Sequence, residues 1–115
     1  VKDNDDFMGS HNASYFANFQ TAQHPRATIV MCSDSRGQTT SIDYTPDNDL
    51  FMVRNIGNSF QNNKGSVEYG VLHLHTPILM IIGHSECGAV KAVHSGIQGT
   101  LEPDIQKELD RMGQY

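Results

Sequence analysis

The only two cysteines of this 115-residue chain, Cys32 and Cys87, each stand just beyond a short apolar segment. Around the first the order is Met31-Cys32-Ser33-Asp34-Ser35-Arg36, and around the second Gly83-His84-Ser85-Glu86-Cys87-Gly88. Thiolate and imidazole both suit zinc. His84 and Cys87 are separated by two residues, so one tight turn can aim both at a single ion. Cys32 must then arrive from a neighbouring strand. An H-x-x-C pair alone is weak, but paired with C-x-D-S-R on another strand end it is specific. Three protein ligands leave a fourth position free, as in catalytic rather than closed structural zinc.

Two groups compete for that fourth position: a water and the carboxylate of Asp34. Zinc with two thiolates and a neutral imidazole carries no net charge, and a carboxylate or hydroxide makes the centre negative. Arg36 can hold Asp34 in a bidentate pair. An Asp34 held by Arg36 does not ligate the metal, whereas a released Asp34 can. The dyad therefore reads as a switch between an open, water-bearing zinc and a closed one. A disulfide between the two cysteines is the competing reading. Small secreted domains usually carry more than one bridge, and a bridge leaves His84, Asp34 and Arg36 without a role. Metal is preferred.

The elements that must position these residues follow from the pattern. Ala27–Cys32 and Ile78–Ile82 are continuous apolar runs, and Leu50–Val53 is a third, ending in Arg54-Asn55-Ile56-Gly57-Asn58. Such runs are strands buried on both faces. Between the second and third, Ser66 caps a predicted helix running to His75, with Val67, Val71 and Leu74 on one face. A short helix is expected near Ser41–Tyr44, another over Gly88–His94 with Ala89, Val90 and Val93 inward and Gly96 past its end. Pro103 starts a last helix carrying Ile105, Leu109 and Met112 at helical spacing. Val1–Ser10 reads as a polar arm, Gln61–Gly65 as a polar loop, and His11–Gln23 as a helix with Tyr15, Phe16 and Phe19, capped by Asn12 or Ser14. Strands alternating with helices give an α/β fold: a three-layer, doubly wound, mainly parallel sheet. In such sheets ligands bind outside the carboxyl ends of the strands.

The chain is long enough for one domain, residues 1–115, divided into an N-terminal arm and helix (1–24), a zinc-binding core (26–94) and a C-terminal helix (103–115). Net charge is −5 with no basic cluster, so neither nucleic acid nor an anionic membrane is an expected partner. No apolar run approaches a membrane span. The absence of a secretory signal favours the cytoplasm, with a processed periplasmic or secreted form left open. His11, His24, His73, His75 and His94 read as surface residues, His94 also as a proton-shuttle candidate. Arg54 reads as half of a structural ion pair.

C-S-D-S-R at Cys32–Arg36, R-N-I-G-N at Arg54–Asn58, G-S-V-E-Y at Gly65–Tyr69 and G-H-S-E-C-G-A-V at Gly83–Val90 resemble the β-class carbonic anhydrases. The match runs in order from about Arg26 to Val93. The resemblance implies one zinc per chain on Cys32, His84 and Cys87, a catalytic Asp34–Arg36 dyad, and Asp34 as metal ligand in a closed state only. It implies reversible hydration of CO2 to bicarbonate and a proton through a zinc-bound hydroxide, which Asp34 orients. Gly88, at a helix start, is expected to steady bicarbonate oxygens. Asn55 and Gly57 are expected along the substrate-binding wall. The implied assembly is a homodimer or higher homo-oligomer, with the N-terminal helix reaching onto the neighbour. Two departures stand out. Gly37-Gln38 replace the family's usual Val-Pro, which should loosen the turn after the dyad, and the chain is shortened at its C-terminal side. Two alternatives compete: a zinc-binding but inactive module with Asp34 locked on the metal, and a hydrolase of a related molecule such as CS2 or COS.

Overall fold

The computed structural model describes residues 1–96 and 101–113. Three parallel strands, β1 (Ala27–Cys32), β2 (Leu50–Asn55) and β3 (Ile78–Ile82), form one sheet in the order β2-β1-β3. The most continuously apolar strand is central: all six residues of β1 are buried. The register pairs Ala27 with Leu50 and Ile78, and Cys32 with Asn55, so the three carboxyl ends lie level. The chain leaves β1 to one side and crosses back to the other after β2. That reversal creates the crevice in which open α/β sheets hold ligands.

Alternation along β1 separates two cores. Ala27, Ile29 and Met31 pack with Leu50, Met52 and Ile82 on one face. Val30 packs with Val53 and Val67 on the other, backed by Phe51, Phe60 and Val71. Val67 lies in the crossover between β2 and β3: a 3-10 turn at Gln61–Asn63, helix α3 (Lys64–Glu68; labels follow chain order, after α1 and α2 below) and a π-helical turn at Tyr69–His73. The predicted Ser66 cap and Gln61–Gly65 loop are therefore corrected. The non-helical Asn63, at φ −138°, is the N-cap and Lys64 opens the helix, so the cap stands three residues before the expected one and Ser66 lies inside the helix. The π-turn, closed by Leu74 N donating to Tyr69 O, seats Gly70 against Thr28. Thr28 and Thr76 share a buried hydroxyl hydrogen bond of 2.8 Å beside it.

The expected N-terminal arm is a helix, α1 (Lys2–Ser10), none of whose residues is buried. Asp3 and Asp5 lie in its first turn and Lys2 pairs with Asp6 one turn on, both favourable for an exposed helix. The predicted helix over His11–Gln23 shrinks to α2 (Ala13–Phe16) and a 3-10 turn at Ala17–Phe19, with Asn12 the cap: its side chain accepts from the N–H groups of Ser14 and Tyr15. The short helix expected near Ser41–Tyr44 is a 3-10 turn at Thr39–Ser41. β2 runs two residues past its predicted end, because Arg54 and Asn55 pair with Met31 and Cys32.

Helices α4 (Gly88–Ser95) and α5 (Pro103–Met112) follow β3. Gly96 closes α4 in the left-handed conformation at φ 68°, and Pro103 opens α5, both as expected. Val90 is exposed instead of inward, while Ala89 and Val93 are half-buried. The loop over 97–100 and the last two positions of the predicted C-terminal helix lie outside the described residues. β3 is the outlier in burial: Ile78, Leu79, Met80 and Ile81 are each 45–54% exposed, on both faces of the sheet. Its apolar run predicts a strand buried on both faces, but among the described residues β1 alone pairs with it.

Candidate metal centre

Cys32 ends β1, and His84 and Cys87 sit on the turn between β3 and α4. Because β1 and β3 are adjacent and parallel, the turn after β3 falls beside the end of β1. One sulfur from each cysteine and one ring nitrogen of His84 lie within 4.8 Å of one another. The two sulfurs are 3.8 Å apart and both cysteines are free thiols, well beyond disulfide bonding distance. Glu86, between the ligands, takes the left-handed conformation at φ 58°, which folds the turn tightly enough to bring both side chains round.

The donor set fits a zinc ion. His84 Nδ1 lies 2.8 Å from the Ser85 carbonyl, which fixes the proton there. Its Nε2 is buried and has no hydrogen-bond partner among the described residues. A buried, unpaired imidazole nitrogen beside two buried thiols is what a metal would satisfy, with the carbonyl as the outer partner that orients the ring. In the metal-free chain, burial pushes the Cys32 thiol up, but hydrogen bonds from the N–H groups of Gly57 and Asp34 and contacts with His84 and Cys87 outweigh it. The result is a thiol lowered to about 7. The Cys32 sulfur in turn raises His84 above its ordinary value. A ready thiolate is the form a metal binds.

Asp34 stands beside the ligands but is held elsewhere. Its Oδ1 accepts from Arg36 N and Nε, each at 2.9 Å, and its Oδ2 from Arg36 Nη2 at 2.7 Å. Oδ2 is also 3.8 Å from His84 Nε2. The Arg36 guanidinium and backbone N–H keep the carboxyl well below the usual carboxylate range. The same Nη2 donates to the Glu86 carbonyl at 3.0 Å, so Arg36 ties the two ligand loops together.

The remaining expected site residues are placed as follows. The Gly57 N–H donates to Cys32 Sγ at 3.3 Å. Its φ of 78° and its closeness to the Met112 thioether and the Ala89 Cβ disfavour any side chain there. The Asn55 amide donates to the Ser59 carbonyl and the Asn63 side chain and accepts from Ser59 N, bracing the turn after β2. Gly88 opens α4 directly after Cys87, with open space in front of it. His73, His75 and His94 are exposed and are not part of the cluster. A cleft of about 230 Å³ lined by Arg36, Gly37, His84 and Ser85 opens on one side. A more apolar one of about 450 Å³ is lined by Gly57, Asn58, Ser59, Phe60, Ile81 and Met112.

Arg54 is where the sequence reading falls short. Among the described residues it makes no ion pair; it donates to the carbonyls of Cys32, Asp34 and Gly37 and to the Gln38 side chain. The available signal was its place at the exit of a strand running level with β1.

The comparisons with known proteins agree with this geometry. The carbonic anhydrase family model matches residues 27–114. A carbonic anhydrase of Mycolicibacterium smegmatis is 38% identical over 82 residues, covering 70% of this chain and 40% of that protein. Carbonic anhydrase 2 of Mycobacterium tuberculosis is 36% identical over 94 residues, covering 80% and 45%. Among solved structures, the β-carbonic anhydrase CcaA superposes with a TM-score of 0.76 at 30% identity, covering 92% of this chain and 55% of its own. A tetrameric β-carbonic anhydrase of Sordaria macrospora gives 0.77 at 29%, covering 94% and 57%. The chain thus spans about half the length of the relatives it matches. With the Cys32–His84–Cys87 cluster at level strand ends and the family match across most of its length, this chain belongs to the β-carbonic anhydrase family.

Proposed function

We propose that this chain carries the zinc centre of a carbonic anhydrase that interconverts CO2 and bicarbonate. The observation that supports this most directly is the buried, partnerless Nε2 of His84 facing two free thiols, with Asp34 held aside by Arg36. Zinc bound by Cys32, His84 and Cys87 would supply a nucleophilic oxygen from water near neutral pH.

The chain's own groups do the rest. Held by Arg36, Asp34 would not ligate a bound zinc, and water could complete its coordination. Its depressed pKa makes it an acceptor at every physiological pH, so it orients a donor and does not store the proton. The apolar cleft of Phe60, Ile81 and Met112 suits an uncharged, apolar substrate. Free N–H groups in the first turn of α4, from Gly88 on, suit the anionic product. Asn55 and Gly57 act from behind, one bracing the wall and the other fixing the Cys32 sulfur. Release of Asp34 from Arg36 would allow the closed state, with Asp34 as fourth ligand.

The exposed apolar β3 and the unburied aromatic N-terminal helices support a homo-oligomer, and the related Sordaria protein is tetrameric. Among the described residues no helix is long and apolar enough to cross a membrane. The test is stopped-flow CO2 hydration on protein of measured zinc content, with COS as a second substrate. Hydration that scales with zinc and is lost on chelation is the expected result. A fully zinc-loaded, folded protein without turnover of CO2 would refute the assignment, and turnover of COS alone would reassign the substrate.

A further inference from the structure

We infer that Arg54 and Gln38 form a clamp that positions the Asp34–Arg36 dyad. This rests on the metal-centre reading above and adds a positioning pair to it. The segment from Cys32, the last residue of β1, to Gln38 carries one ligand and the whole dyad; before the 3-10 turn at Thr39 its backbone is held by Ser33 N donating to the Asn55 carbonyl at 2.8 Å and by a turn closed at 3.3 Å from Gly37 N to the Asp34 carbonyl. Two features argue against its being rigid: it contains Gly37, and it lacks the proline that would stiffen it.

Arg54 supplies the missing rigidity. Its guanidinium, half-buried on β2 opposite Met31, lies across the concave side of the loop. Nε and Nη2 donate to the Cys32 carbonyl at 2.9 and 2.6 Å, and Nη2 reaches the carbonyls of Asp34 at 3.0 Å and Gly37 at 2.7 Å. Nη1 donates to Gln38 Oε1 at 3.0 Å, and Gln38 Nε2 closes the ring onto the Ser35 carbonyl at 3.2 Å. Arginine is always charged and offers its donors in a fixed planar fork, so one side chain fixes several carbonyls in one relative geometry. Arg36 then acts on a carboxylate whose backbone is already placed. The two guanidiniums have separate roles, since Arg54 sets the backbone at Asp34 and Arg36 sets its side chain. Gln38 is part of the same device, which gives the Gly37-Gln38 departure from the family pattern a physical role. The turn is held from inside by a side-chain ring instead of being stiffened by its own ring residue.

The test uses the full chain with Arg54→Lys and Gln38→Leu. Lysine keeps the charge but is a point donor without the fork. Each variant is loaded with Co²⁺ in place of zinc. Its visible absorption bands report the ligand geometry, and hydration kinetics of the zinc form are measured beside them. The expected result is unchanged far-ultraviolet circular dichroism and one metal per chain. The Co²⁺ bands should be altered in both variants, with kcat reduced about tenfold in Arg54→Lys, less in Gln38→Leu, and KM within about twofold. Folded, fully loaded variants with wild-type bands and kcat would overturn the inference. So would failure of both variants to fold, which would assign Arg54 to the scaffold alone. If the unaltered zinc protein hydrates no CO2, the functional proposal fails separately, and the Co²⁺ bands still decide the clamp.

Discussion

Gly57→Ala tests the link between the core and the metal centre. At φ 78° an alanine occupies the left-handed region, which costs about 1–2 kcal/mol for a residue with a Cβ. The added methyl would also meet the Met112 thioether and lie 3.3 Å from the Ala89 Cβ. The methionine end can swing aside, but the alanine methyl on α4 can move only with its helix. That places the overpacking near the low end of its usual range, about 1 kcal/mol. The expected loss of stability is roughly 2–3 kcal/mol, read as a lowered urea midpoint with unchanged m in the metal-free chain. The second consequence is chemical. The Gly57 N–H donates to Cys32 Sγ, and a relaxed turn lengthens that bond. A hydrogen bond worth about 0.5–1.5 kcal/mol corresponds to zinc affinity weakened about two- to tenfold, measured by chelator competition. A variant within about 0.5 kcal/mol of wild type and unchanged in zinc affinity would refute the reasoning, because neither the backbone angle nor the close approach would then be real constraints.

Arg36→Ala should keep one zinc per chain yet lower kcat for CO2 hydration by about 10- to 100-fold, since Asp34 loses its orienting partner. Near-normal rates would refute the switch. In the metal-free chain, carboxyl NMR should show Asp34 titrating well below its ordinary value of about 3.9 and returning toward it in this variant. The sign follows from the depressed folded pKa: the pair's contribution to stability is present above about pH 4 and is lost as pH falls through that lower value. Zinc affinity should fall with acidification. Binding must release the proton of every ligand that is protonated, so affinity should fall about tenfold per pH unit for each: both thiols contribute below about 7, and the slope steepens further once His84, whose pKa is raised, is protonated. A flat affinity between about pH 7.5 and about pH 5.5, or full zinc retention by Cys87→Ser, would remove these residues from the ligand set.

Much of the centre was legible in the sequence because its parts are local. β1 and β3 begin and end where their apolar runs do, and the ligands stand at the last residue of β1 and on the turn after β3. Asp34 and Arg36 are two residues apart, so their pairing needs no knowledge of the fold. Helix starts were less legible, as at Ser66, because the true N-cap, Asn63, makes no side-chain capping hydrogen bond and so offers no capping signal to read. The arm at Val1–Ser10 is helical although its polar composition does not show it, because i,i+4 pairing and the helix dipole can sustain a helix that buries nothing.

What the sequence by itself determined, then, is the chemistry: which residues can hold a metal and which carboxylate stands beside it. The tertiary structure decided which backbone groups serve them. The β2-β1-β3 order brings Gly57 to the Cys32 sulfur and Arg54 to three carbonyls of the dyad loop. It also leaves β3 exposed despite a sequence fit for burial. The physical reason is the same in each case. Metal affinity and pairing preference are properties of side-chain type, whereas hydrogen bonds to backbone carbonyls and the covering of a strand depend on which distant segments the sheet order makes neighbours.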